Sequence, residues 1–190
     1  MTFNGYFTEH DSFLENYLGI TDPNELAKVE SEIVPLRIAE ILKNPPDGDL
    51  DFKYLCDVHR FLFSDIYLMA GHVRTVDIAK GNSAFCYAQF IVSEQKRIFE
   101  KADKAFSSDN LSKDEFVAKL TELSSDLNAL HPFREGNGRT IRTFLSIVCM
   151  RHGYNINFDS VNIEVLLSAD VAAFYGNLDL LRELYSTIIE

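Results

Sequence analysis

The sequence predicts an all-α fold, a helical bundle interrupted by one β-hairpin. Apolar residues recur at helical spacing in successive stretches along most of the 190 residues. Capping signals precede several of those stretches. Only residues 73–87 have the β-branched character of strands around a glycine turn. The chain reads as a single domain over residues 1–190, with a helical extension over 1–49 and a core over 50–180.

Taken in order, residues 1–20 carry Phe3, Tyr6 and Phe7, an aromatic cluster placed to dock on the body. At Asp22-Pro23-Asn24-Glu25 the aspartate caps, proline suits the first helical position, and the glutamate reaches back. Leu26, Val29 and Ile33 give that helix its buried stripe, and Pro35 is expected to kink or break it before Leu36–Leu42. Asn44-Pro45-Pro46-Asp47-Gly48 is a loop. A second helix is expected from Leu50 to Met69, with Leu55, Leu62, Phe63 and Ile66 inside and His59 as a hydrogen-bonded core histidine. Val73, Thr75, Val76 and Ile78, then Lys80-Gly81-Asn82-Ser83, then Phe85 and Tyr87 read as a hairpin turning at the glycine. Ser93 is expected to cap a helix running to Phe106. Ser112-Lys113-Asp114-Glu115 is a capping box for the next, whose stripe is Phe116, Leu120, Leu123 and Leu127. Ile141, Phe144, Leu145 and Val148 mark another helix, ended at Gly153-Tyr154. Residues 162–168 and 169–175 look helical, and Leu178–Ile189 forms the last helix.

Composition narrows the function. A formal charge of -11 argues against nucleic acid as a partner, because phosphate backbones are repelled except at a local basic patch. Three cysteines, Cys56, Cys86 and Cys149, lie far apart with no disulfide or zinc spacing. Cys56-x-x-His59 has no second pair to complete a metal site and is better read as half-buried core. This usage fits a cytoplasmic protein. Neither a signal segment nor an 18-residue apolar run is present, so no membrane partner is expected. A specialised secretion route into a host cell would leave no mark here.

The chemistry is concentrated in His131-Pro132-Phe133-Arg134-Glu135-Gly136-Asn137-Gly138-Arg139-Thr140-Ile141-Arg142. Its glycines fall at a helix N-terminus, where the first N–H groups lack internal acceptors and the helix dipole adds positive charge. Gly136 and Gly138 let an anion approach that backbone, and Asn137 adds a side-chain donor. Arg139 and Arg142, three apart, lie on one face and can both fork onto a polyphosphate. Glu135 in this cationic setting has a natural use as a Mg²⁺ ligand beside phosphates. His131, delivered by the end of a helix, can take up a proton near neutral pH, and Asn128 one turn earlier lines the nucleotide pocket. Together these residues describe nucleotide-polyphosphate chemistry with a general base. No P-loop and no dinucleotide fingerprint is present.

The twelve residues resemble the signature of the Fic family, H-x-F-x-[D/E]-G-N-G-R-x-x-R, and all eight specified positions are met. The resemblance implies a Fic-type helical bundle with a hairpin flap over the active site, along which the target protein docks at Val73–Tyr87. It implies transfer of AMP from ATP, the co-substrate, to a Ser, Thr or Tyr hydroxyl of that protein, with Mg²⁺ as cofactor. Lys80 sits where the family's flap approaches the nucleotide, and Phe133 is the residue that turns inward. Phosphate-transferring relatives carry Lys where this chain has Gly138, which argues for AMP. The base-contacting residues follow no readable motif, so UMP, GMP or phosphocholine transfer stays open. So does a non-enzymatic nucleotide- or protein-binding module, although its cheapest signature, loss of His131, is absent.

Many family members are restrained by a glutamate in [S/T]-x-x-x-E-[G/N] that pairs with the second motif arginine, here Arg142. Thr21-x-x-x-Glu25 is followed by Leu26 and reads as an ordinary cap. Ser186-x-x-x-Glu190 lies on the last core helix. The expectation is therefore a toxin restrained by a separate small antitoxin that supplies the glutamate to Arg142. Removal of AMP, which in the family relies on that glutamate, is correspondingly disfavoured.

Overall fold

The structure, a computed structural model, describes residues 14–80, 83–108 and 110–190, without the side chains of Lys80 and Ser83. Phe3, Tyr6 and Phe7 lie outside the described residues. Seven α-helices are present among the described residues: α1 (Pro23–Lys43), α2 (Phe52–Phe63), α3 (Ile91–Phe106), α4 (Lys113–Leu130), α5 (Asn137–Arg151), α6 (Ile163–Phe174) and α7 (Asp179–Ile188). None is long and apolar enough to cross a membrane.

Helix α4 is the central post, touching α3, α5, α6 and α7, while α2 and α1 close the far side of α5. Its start is the capping box: Ser112 Oγ accepts from the Glu115 N–H, and the Glu115 carboxylate accepts from the Ser112 N–H. Its inner stripe is Phe116, Leu120 and Leu127, all fully buried. Burying each such side chain stabilises the fold by about 1.5–3 kcal/mol. Facing it, α5 buries Phe144, Leu145 and Ile147 completely. The two helices that flank the motif are therefore both anchored in the core, and the loop between them is held at both ends.

Several expectations needed correction. Pro35 lies inside α1 without ending it. Ser31 and Pro35 both face solvent, so water can take the carbonyl that loses its helical donor. The buried stripe of α1 is Leu26, Glu30, Val34 and Ile41, one residue out of phase with Val29 and Ile33, and it carries a charge. Helix α2 begins after the Asp51 cap and stops at Phe63 instead of Met69. Beyond it the backbone is taken by the N-terminal segment, Tyr17 N–H donating to the Ile66 carbonyl at 2.9 Å and Asn16 pairing with Tyr67. Ser93 lies within the first turn of α3 and donates back to the Phe90 carbonyl at 2.9 Å, so it is not the cap. The two stretches over 162–175 form one helix, α6.

The hairpin exists but is short. β1 (Ala79–Lys80) and β2 (Ser83–Ala84) pair antiparallel with Ala79 opposite Ala84 and Lys80 opposite Ser83. Its arms are not ladder strands because their polar groups are spent on the end of α4. Cys86 N–H donates to the Ala129 carbonyl at 3.0 Å, and Arg74 N–H to the Pro132 carbonyl at 2.9 Å.

Candidate active site

His131 is the C-cap of α4 and takes φ 45°, ψ 60°, the left-handed region. A β-carbon there costs on the order of 1 kcal/mol or more, so neighbours must hold it. They do. Its N–H donates to Leu127 O at 3.0 Å and its carbonyl accepts from Arg74 Nε at 2.8 Å. Arg74 is 1% exposed and gives its other donors to the carbonyls of Val76 (2.7 Å), Leu130 (3.3 Å) and Cys86. One guanidinium thus fastens the hairpin arms to the negative end of α4, as a cation at a helix C-terminus should.

The imidazole of His131 stacks on Phe85, ring centres 3.7 Å apart and planes 15° apart. Nδ1 lies 3.1 Å from the Asn128 carbonyl, which can only accept, so Nδ1 carries the hydrogen and the lone pair sits on Nε2. That tautomer is the one a general base needs.

Downstream, the motif loop is locked from beneath. Phe133 is fully buried and stacks on His59 at 3.9 Å. His59, itself 1% exposed, contacts the Glu135 carbonyl through Nε2 at 3.0 Å and accepts from the Gly71 N–H through Nδ1 at 2.8 Å. The core reading of this histidine holds, and it has a duty: it ties α2 to the loop carrying Glu135. Burial lowers its pKa from 6.5 to about 4. The folded protein therefore resists a proton that the unfolded chain accepts, and stability is lost as pH falls from 6.5 towards 4. We expect this window to cost ~3 kcal/mol in wild type. Denaturant melts at pH 7 and pH 4.5 check it, with His59→Gln expected to flatten the dependence.

Gly136, at φ 77°, is the N-cap of α5, which has no side-chain cap. Its conformation disfavours any residue with a β-carbon, and an added Cβ would stand 2.4 Å from Phe63 Cζ. Asn137 departs from expectation. Its Oδ1 accepts from Phe133 N–H at 2.9 Å and its Nδ2 donates to the Phe133 carbonyl at 2.8 Å. With the side chain 97% covered by that duty, it staples the loop and is not spare as an anion donor. The uncapped backbone N–H groups at the start of α5 remain available to an anion.

A cleft of about 470 Å³ opens above this N-terminus. His131, Asn128, Glu135, Asn137, Gly138 and Arg142 line it, so six expected site residues come together. Its opposite wall was not foreseen: Phe85 from the hairpin, and Leu167, Val171 and Phe174 from α6. The volume lies within the ordinary range for small-ligand sites, and one polar and one apolar wall suit a phosphorylated base. Arg134 and Asp170 complete the lining. Asp170 was also missed; burial pushes it up to about 6, and the nearby Arg142 pulls it back. Burial likewise lowers Arg142, which among the described residues has no carboxylate within ion-pair distance.

Arg139 is elsewhere. It leaves the cleft side of α5, lies over the Phe63 ring at 5.0 Å, and pairs with Glu30 of α1. Its second carboxylate neighbour is Glu135, at 3.7 Å. The Lys80 side chain lies outside the described residues. No group of three or more His, Cys, Asp or Glu that could cage a metal occurs among the described residues, Cys56 and His59 included.

The Fic/DOC family model matches residues 49–149, more than half of the chain. The chain is 35% identical over 179 residues to protein adenylyltransferase VbhT of Bartonella schoenbuchensis, covering 94% of this chain and 37% of that protein. It is 37% identical over 166 residues to probable protein adenylyltransferase y4lH of Sinorhizobium fredii, covering 87% and 85%. The fold of BepC, a VirB-translocated Bartonella effector protein from Bartonella tribocorum solved with bound AMPPNP, superposes with a TM-score of 0.87 at 25% identity, covering 97% of this chain and 96% of that one. The signature, the cleft it lines and these likenesses agree that this chain belongs to the Fic/DOC family.

Proposed function

We propose that this chain is a protein adenylyltransferase that moves AMP from ATP to a Ser, Thr or Tyr hydroxyl of another protein. The observation that carries this reading is the cleft itself: a histidine with its basic nitrogen fixed by Asn128 stands beside an uncapped helix N-terminus and the half-buried Arg142. The two relatives named as adenylyltransferases and the neighbour solved with AMPPNP support it. The apolar wall of Phe85, Val171 and Phe174 takes the base. The N–H groups of α5 hold phosphate, and Arg142 takes the terminal phosphates, which decides which phosphorus faces the acceptor. His131 Nε2 accepts the hydroxyl proton as the oxygen bonds to the α-phosphorus and the bond to the β-phosphate oxygen breaks, releasing pyrophosphate.

Glu135 fits a Mg²⁺ ion. It is the cleft's exposed motif carboxylate, and Mg²⁺ is usually held by one or two carboxylates, substrate phosphates and water rather than by a protein cage. When bound, the ion neutralises charge developing on the departing pyrophosphate.

The target docks along the hairpin, whose root is bolted to the catalytic loop through Arg74 and Phe85, so a chain aligned there is indexed to His131. A separate antitoxin offering a glutamate to Arg142 would displace the terminal phosphate; that Arg142 lines the cleft with no carboxylate at ion-pair distance among the described residues supports that partner. Cys56 and Cys149 are free thiols that burial pushes up to about 12, in keeping with a cytoplasmic site of action.

The test is incubation of the purified protein with α-labelled ATP, Mg²⁺ and a bacterial lysate. Label on a protein band, absent with His131→Ala, is expected; equal labelling by both proteins would refute the reading.

Asp170 makes a further expectation. At pH 7.5 its carboxylate is charged beside the incoming polyphosphate and opposes it. Asp170→Asn is expected to tighten binding of a fluorescent ATP analogue about three- to tenfold at that pH. The gap between the two proteins should close as pH falls below about 6, where Asp170 is protonated in both bound and free states.

A further inference from the structure

Glu30 is a carboxylate buried in a helix that otherwise packs apolar residues, 8% exposed, and such a charge is tolerated only with partners. It has two. Oε2 accepts from the Tyr67 hydroxyl, and Oε1 pairs with Arg139 Nη2. Burial, then the charge of Glu30, raise the Tyr67 phenol, so it stays protonated and keeps donating. Arg139 in turn reaches towards Glu135 at 3.7 Å, one helical turn before it. A carboxylate just before a helix and an arginine in its first turn, 3.7 Å apart, attract each other by default. Here the attraction is divided, and the buried competitor has the closer contact.

We propose that Glu30 is a positioning residue for the cation site: by holding Arg139 towards α1, it keeps the guanidinium from closing on Glu135, whose Oε1 accepts from the Gly136 N–H at 2.9 Å, and leaves Oε2 for the metal. This rests on Glu135 being the Mg²⁺ ligand. The arrangement also gives Arg139 a task other than phosphate binding, in agreement with its place outside the cleft lining. The chain Tyr67, Glu30, Arg139, Glu135 thereby links the segment after α2, helices α1 and α5 and the motif loop to one carboxylate, and the N-terminal helix becomes part of the site's outer layer.

The test uses Mn²⁺ in place of Mg²⁺, titrated into the full chain saturated with a non-hydrolysable ATP analogue, with bound metal read by electron paramagnetic resonance. Glu30→Gln is expected to raise the Mn²⁺ dissociation constant about tenfold. Adding Arg139→Gln to that variant should return it close to wild type, since the competing cation is then gone. Tyr67→Phe, which keeps the charge but loosens its anchor, should give a smaller loss in the same direction and serves if Glu30→Gln folds poorly. Unchanged Mn²⁺ affinity in a folded Glu30→Gln protein overturns the proposal. So does a loss that Arg139→Gln does not restore. Glu135→Gln separates the two levels: if it leaves Mn²⁺ binding untouched, the metal assignment itself fails and takes this proposal with it.

Discussion

His131→Ala lowers AMP transfer by about 10²–10⁴-fold while leaving nucleotide affinity within about twofold. The split follows from where the ring sits. Its contacts include Phe85 and the Asn128 carbonyl, on the hairpin side of the cleft, whereas phosphate binding is assigned to the start of α5 and Arg142. Removing the ring takes away the acceptor for the hydroxyl proton but none of the anion-binding groups. The two quantities are separable by single-turnover transfer and by titration of a fluorescent ATP analogue. A parallel fall in both would mean that the ring binds nucleotide rather than moving a proton.

Arg74→Leu is expected to destabilise the fold by ~3–5 kcal/mol and to stop transfer with it. The substitution removes the buried donor shared by the carbonyls of Val76, Cys86, Leu130 and His131. Hydrogen bonds to a charged group contribute roughly 1.5–3 kcal/mol each, and acceptors left dry add to the loss. For a chain of this size each kcal/mol lowers the melting temperature by about 2–4 °C. Arg74→Lys discriminates charge from geometry: an ammonium on a flexible stem cannot serve four carbonyls in a fixed fork, so it should recover only part of the stability. Thermal melts of the three proteins decide it, and near-wild-type stability of Arg74→Leu would show that the fastening is unnecessary.

What the sequence revealed and what it hid divide along a physical line. The motif, the capping box of α4 and the stripe Phe116, Leu120, Leu127 were legible because each is local: a few residues at fixed spacing make a turn, a cap or a face. The placement of His131 at the end of a packed helix followed from the same logic. Arg74, Glu30, Phe85 and Asp170 were hidden because each acts on a residue dozens of positions away. Arg74 stood in a stretch read only for its β-branched neighbours, although an arginine among them was a signal that something there needed a cation. Glu30 hid in a helical pattern whose phase was set one residue wrong by favouring Val29 and Ile33. Asn137 had a plausible local role as an anion donor, and only the fold shows both ends of its amide spent on Phe133. Likewise α2 reads as helical to Met69, and the pairing of Asn16 with Tyr67 claims that backbone instead.

The most direct measurement of the central claim is to offer the protein ATP labelled on the α-phosphate in one reaction and on the γ-phosphate in another, with Mg²⁺ and a target-containing lysate. Transfer of AMP predicts protein-bound label from the α-labelled nucleotide only, with the γ-label leaving as pyrophosphate. Label retained from the γ-position would identify a phosphate transfer and contradict the account.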